Sequence, residues 1–108
     1  MRNSSELRAR RHYRLRAYRI LGENVWIGGY ELDLVVRRGT TLVFCEVKSK
    51  FGDGFGDPLE MVTPEKMRRV RRAASAWLAA HPEHARCTVR FDVVAERSGR
   101  LERVAAAF

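Results

Sequence analysis

Four side chains within one short stretch could do chemistry together: Glu31, Asp33, Glu46 and Lys48. Tyr30 to Arg37 alternates apolar and polar residues and is rich in β-branched types, which predicts a strand. Arg38-Gly39-Thr40 reads as a turn, and Thr41 to Lys48 as the returning strand of a β-hairpin. Side chains alternate faces along a strand, so Leu42, Phe44, Glu46 and Lys48 share one side and Val43, Cys45 and Val47 the other. A two-residue turn at Arg38-Gly39 sets Glu31 opposite Glu46 and Asp33 diagonal to it. A four-residue loop reaching Thr41 sets Asp33 directly opposite Glu46, and a three-residue loop scatters the set. Either of the first two registers gathers three carboxylates and an ammonium on one patch. Crowded carboxylates repel, and some take up protons unless a cation joins them. Magnesium, a hard octahedral ion that prefers oxygen ligands, suits such a patch, and manganese can replace it. Lys48 could steady an attacking water or offset charge on a phosphate in transition. The competing reading is a solvated Glu–Lys pair, because the triplet Glu-x-Lys is common by itself. It is the pairing with Asp33 at hairpin distance that distinguishes this chain.

The elements that must position this hairpin can be read on either side of it. Ser4 to about Arg16 predicts a helix, with Ala9, Tyr13 and Ala17 as a thin apolar stripe and Arg8, Arg10, Arg11, Arg14 and Arg16 around it. Tyr18 to Ile27 reads as a strand interrupted by Gly22, ending at the turn Gly28-Gly29. Residues 49–60, with three glycines and a proline, read as a mobile loop. Thr63 is placed as the N-cap of a second helix, with Pro64 at its first position and Glu65 in its first turn. Met67, Val70, Ala74, Trp77 and Leu78 form its stripe, and His81-Pro82 ends it. Thr88 to Glu96 and Arg100 to Ala106 then close as a hairpin about Ser98-Gly99. The expected order is α-β-β-β-α-β-β, a mixed α+β sandwich with helices against a sheet, in one domain over residues 1–108.

Composition limits the partners. The net charge is +8 with a pI near 10.5, and lysine occurs only at positions 48, 50 and 66. Arginine forks match phosphate oxygens in pairs, so the charge points to a polyanion, with solubility alone as the plainer reading. No apolar run nears the ~20 residues that cross a bilayer. The basic N-terminus has no apolar stretch behind it, which reads as cytoplasmic with no membrane partner. Cys45 and Cys87 read as two free thiols, Cys45 within the core. The spacing of His81, His84 and Cys87 offers too few ligands for a metal site.

Asp33 followed by Glu46-Val47-Lys48 resembles the PD-(D/E)xK signature of restriction-endonuclease-like nucleases. The longer strings GYELDLVV and LVFCEVKSK resemble the YraN-type family of small bacterial proteins, which is similar to archaeal Holliday-junction resolvases. Glu6 and Ala9, Tyr18-x-Ile20-Leu21-x-x-Asn24, Lys66 and Arg90 to Val94 extend the likeness over nearly the whole chain. The resemblance implies a restriction-endonuclease-like core and a magnesium- or manganese-dependent endonuclease acting on DNA, including branched DNA. It implies that Glu6 joins Asp33, Glu46 and Glu31 around the metal, with Asp33, Glu46, Lys48 and Glu6 catalytic. A capping role for Glu6, from Asn3-x-x-Glu6, stays open beside this. Ser5 stands where the family has Gly, and Tyr30 is inserted between Gly29 and Glu31, altering only how the strand begins. Lys66 is expected to contact phosphate or to remain solvated. Arg69, Arg10, Arg14 and Lys50 are the further candidates for nucleic-acid contact. Phe51 or Phe55 would stack on a base or plug the core. Arg90 and Asp92 would pair with each other or with a helix. A homodimer would set two sites on opposing strands of a symmetric target. Two rival functions remain: a non-catalytic nucleic-acid-binding module on the nuclease fold, and an interaction protein that binds an acidic partner.

Overall fold

The structure is a computed structural model that describes residues 4–48, 62–97 and 99–108, with Arg97 as backbone only. The expected loop 49–60, with Lys50, Phe51 and Phe55, and the residues Asn3 and Ser98 lie outside the described residues. The elements are α1 (Ser4–Arg14), β1 (Arg19–Ile27), β2 (Tyr30–Arg38), β3 (Thr41–Lys48), α2 (Pro64–Ala80), β4 (Thr88–Arg97) and β5 (Arg100–Val104). This is the expected order, and it builds one five-stranded sheet arranged β1-β2-β3-β4-β5. Neighbouring strands are antiparallel except β3 and β4, which are parallel because the α2 crossover lies between them.

The helices cover opposite faces. Ala9 and Tyr13 of α1 pack with Leu34, Val36, Val43, Cys45 and Val94. Val70, Ala73, Ala74 and Trp77 of α2 pack with Leu32, Val35, Leu42 and Phe44. Covered on both sides, β3 is apolar on both faces, which explains its unbroken run Leu42 to Cys45. Thr63 caps α2 as expected, its hydroxyl accepting the Lys66 N–H at 3.2 Å. The architecture is a mixed α+β sandwich compatible with a nuclease-like fold.

The start and end of α1 differ from the simple periodic reading. Ser5 is buried and donates to Glu96 Oε1 at 2.7 Å, while Arg8 pairs with the same carboxylate, so α1 is tied to β4 at its first turn. Ala17 does not extend the apolar stripe. It lies past the helix at φ 66°, exposed, where the Tyr18 N–H bonds Tyr13 O and the Ala17 N–H bonds Arg14 O. This is the Schellman closure, and Tyr18 packs edge-on against Tyr13 at 5.2 Å as the closure's apolar contact.

Deeper in the α1 face, Asp92 is wholly buried. It accepts from Arg90 Nε and Nη2 at 2.8 and 2.9 Å, from the Tyr13 hydroxyl at 2.7 Å and from the Ala106 N–H at 3.1 Å. The Arg90–Asp92 pair expected from the sequence therefore bonds both to itself and to a helix. Its bidentate fork and two further donors supply what a buried carboxylate needs.

Two stability outcomes follow from these contacts. Asp92→Ala leaves Arg90 and Tyr13 without their acceptor and should cost about 3–5 kcal/mol, read as a lower urea midpoint. Ala17→Gly relieves the left-handed strain and should stabilise the fold by about 1 kcal/mol, read as a higher urea midpoint with an unchanged m-value.

Candidate functional site

The hairpin closes through Gly39-Thr40 with Arg38 paired to Thr41 and Leu34 to Cys45. Carried one residue further, this register sets Asp33 across from Glu46, the arrangement expected for the four-residue loop. The ladder of paired residues stops there, and the Asp33 carboxylate takes over from the backbone, with Oδ2 accepting the Val47 N–H at 2.8 Å. Glu46 is 2% exposed at the edge of the α2 layer. Its Oε1 accepts the Tyr30 hydroxyl at 2.7 Å.

Tyr30 reaches Glu46 because β1 and β2 turn over together. Leu34 packs in the α1 layer, but Leu32, two residues earlier, packs in the α2 layer. In β1, Glu23 pairs with Arg10 of α1, whereas Val25 packs in the α2 layer. Between them Asn24 sits at φ 51°, across from Asp33. Asparagine is among the few residues that adopt this conformation readily. Unbroken alternation would have placed Glu31 on Glu46's face. Instead Tyr30 and Leu32 swing to that side, and Glu31 is exposed across from Trp26. Tyr30, expected only to alter how the strand begins, is thus a direct partner of the central carboxylate. Neither its role nor that of Asn24 was read from the sequence; an Asn inside an alternating strand is the signal that could have pointed to the turnover.

Glu6 enters from α1. Its Oε1 accepts from Asn24 Nδ2 at 3.3 Å, and its charge acts on Asp33. The electrostatics mark the centre of the site. Burial first, then the Glu6 and Glu31 charges, push Asp33 up to about 6, against the pull of the Val47 N–H and Lys48. Burial and the neighbouring Asp33 push Glu46 up to about 7, opposed by the Tyr30 hydroxyl and Lys48. Glu46 is thus the harder of the two to ionise, with the Asp33 charge beside it. Burial and the bond to Glu46 raise Tyr30, which holds it as a donor.

The remaining predicted residues are in different states, and among the described ones only Arg69 has an interaction with a residue of this centre. Lys66 and Arg14 are exposed, Arg69 is exposed and pairs with Glu65 at 2.7 Å, and Arg10 pairs with Glu23 at 3.2 Å. Arg69 is near enough to Tyr30 for its charge to act there. Lys50 lies outside the described residues. His81 donates through Nδ1 to Trp77 O at 2.8 Å and stacks on Trp77, while His84 Nδ1 faces Arg37 Nη1 at 2.7 Å, so these rings serve packing. Cys45 and Cys87 are free thiols. Among the described residues no group of three or more His, Cys, Asp or Glu side chains is arranged to hold a metal, and no helix is long and apolar enough to cross a membrane.

Fold and site together define a small α+β protein whose central hairpin carries a buried Glu46 and a half-buried Asp33 beside a lysine. The profile of the family described as Uncharacterised protein family UPF0102 matches residues 5–95, and the chain belongs to that family, the YraN-type group. It is 46% identical over 96 residues to a UPF0102 protein of Acidothermus cellulolyticus, covering 81% of this chain and 73% of that one. A UPF0102 protein of Frankia alni is 50% identical over 86 residues, covering 80% and 71% of the two chains. One from a Parafrankia species is 42% identical over 105 residues, covering 93% and 88%.

The carboxylate pair has a consequence for stability. Both folded values lie above the free values of 3.8 and 4.5, so the folded protein holds protons that the unfolded chain releases. The stabilisation is full below pH about 4 and is lost as pH rises through about 6 to 7. Urea midpoints should therefore fall from pH about 5 to about 8, more steeply in the wild type than in Glu46→Gln. The variant should be the more stable protein at pH about 8, by on the order of 1–2 kcal/mol. Equal slopes in the two proteins would refute the pairing.

Proposed function

We propose that the protein is a divalent-metal-dependent nuclease acting on DNA phosphodiesters, including branched DNA. The observation that carries this reading is the pairing of half-buried Asp33 with buried Glu46, with Lys48 beside them. Two carboxylates, one buried and one half-buried, against one ammonium leave a net negative centre when both are ionised, and a hard cation is the natural complement to their oxygen donors. Asp33 and Glu46 would hold the ion, with Glu6 and Glu31 on its periphery. Bound magnesium or manganese polarises a phosphodiester and lowers the pKa of a coordinated water.

The chain's own groups divide the remaining work. The Val47 N–H fixes one Asp33 oxygen, and the Tyr30 hydroxyl fixes one Glu46 oxygen, so both carboxylates are oriented before any ligand arrives. Asn24 orients Glu6 in the same way. The Lys48 ammonium is suited to hold a water or to offset negative charge gathering on the phosphate. Exposed basic residues of α2, Lys66, Arg68, Arg69, Arg71 and Arg72, offer backbone contacts that read shape rather than base sequence.

The test is cleavage of branched, single-stranded and duplex DNA with magnesium or manganese at low salt. Asp33→Ala and Glu46→Ala should each lower the rate by about a hundredfold or more, with DNA affinity kept. Tyr30→Phe should lose roughly tenfold. Cleavage unchanged by both alanine variants would reject the site. Salt-sensitive binding without cleavage of any substrate would leave a binding module on this fold. Absence of useful DNA affinity would leave the acidic-partner reading.

A further inference from the structure

Trp26 is the most exposed large apolar side chain among the described residues, at 73%. Tryptophan carries a large apolar surface that folding normally hides, so a ring left in solvent calls for an explanation. It sits on the edge strand β1, paired across the ladder with Glu31. Directly opposed side chains on adjacent strands have Cβ atoms about 5 Å apart. Glu31 in turn is close enough to Asp33 for its charge to act there. Trp26 therefore lies one strand over from the Asp33 end of the site and two residues along, on the side of β1 away from the Tyr30–Glu46 bond.

The ring has no route into the core. Its neighbours Val25 and Ile27 both pack in the α2 layer, which commits Trp26 to the other side of the strand. The following turn is clamped as well: a Cβ on Gly28 would lie 3.1 Å from Ala73 Cα. The strand is held from both directions, so the indole is presented on a rigid backbone.

We propose that Trp26 is a stacking platform for an unpaired nucleobase of single-stranded or branched nucleic acid engaged at the Asp33–Glu46 site. This rests on the nucleic-acid reading above and adds a determinant of substrate class to it. The chain carries a net +8, which favours a polyanion. The exposed carboxylate of Glu31 beside the ring disfavours phosphate at that point, and an anionic lipid surface likewise. A base offers an uncharged π-face that stacks on an aromatic ring whatever its identity. In continuous duplex both faces of each base are occupied by neighbours, so the platform selects strands with unstacked bases.

The chain's two tryptophans make this directly measurable. Trp77 is 2% exposed and stacked on His81 at 3.9 Å, so quenching by an added oligonucleotide reports Trp26. Titration of the intact protein with single-stranded oligothymidylate, in chelator to prevent cleavage, should quench the emission. Trp26→Ala should weaken single-strand binding, measured by anisotropy, by roughly tenfold or more, while duplex affinity stays the same. Trp26→Phe should recover most of the loss. An unaltered melting temperature for Trp26→Ala would show that the fold is intact. Single-strand binding that is salt-sensitive yet indifferent to Trp26→Ala would overturn this proposal and leave the nuclease reading standing. A dimer in sedimentation velocity that Trp26→Ala dissolves, with oligonucleotide affinity unchanged, would assign the ring to a second copy and overturn it as well. Failure to bind any oligonucleotide at low salt would overturn both.

Discussion

A buried carboxylate must find compensation, and this fold meets that constraint in two opposite ways on one sheet. Asp92 is surrounded by donors: a guanidinium fork, a phenol and a backbone amide, with Arg103 a further 3.7 Å away. Those donors come from α1, β4 and the segment after β5, so one acid ties three parts of the chain together. Burial of its charge is acceptable only because the network is complete. Removing any partner leaves a desolvated group with no alternative. Asp92 therefore acts as a structural anchor for α1, and α1 in turn carries Glu6 towards the hairpin.

Asp33 and Glu46 have the same chemistry and the opposite treatment. Each receives one oriented donor, from Val47 N–H and the Tyr30 hydroxyl, and they share the influence of a single lysine. That is enough to fix where the oxygens lie and too little to hold both as anions without strain. Both are pushed up, whereas the Asp92 network is closed. A sheet that can build the Asp92 cage could have neutralised the hairpin pair in the same manner. The uncompensated charge is retained where the ladder between β2 and β3 stops and side chains can face a ligand.

Much of this was legible because hydrophobic period and capping act locally. The hairpin, the Thr63-Pro64 start of α2 and the α-β-β-β-α-β-β order all follow from patterns a few residues long. The Asp33–Glu46 register is among the few a hairpin allows, although the chain reaches it through a two-residue turn at Gly39-Thr40 rather than a four-residue loop. Two features were hidden. The turnover at Asn24 depends on a single backbone angle that composition does not encode, and it exchanged Glu31 for Tyr30 beside Glu46. The end of α1 at Arg14 depends on Ala17 adopting a conformation that usually selects glycine. In both places tertiary packing imposed a local conformation that the residue type only tolerates.

The distribution of charge carries the last step. Arginines inside the fold are largely engaged: Arg8 with Glu96, Arg10 with Glu23, Arg37 with His84, Arg90 with Asp92. Those of α2 face solvent, where their summed positive charge would favour a polyanion at long range. At short range the same polyanion would meet the negative Asp33–Glu46 centre and be repelled. On the proposed nuclease reading, a cation between the carboxylates and the phosphate would reconcile attraction at a distance with repulsion at contact. Cation binding and polyanion binding at this site would then be thermodynamically linked, each raising the affinity for the other by the same factor. Protons compete for the same pair, so the linkage weakens as pH falls through the range in which the carboxylates protonate.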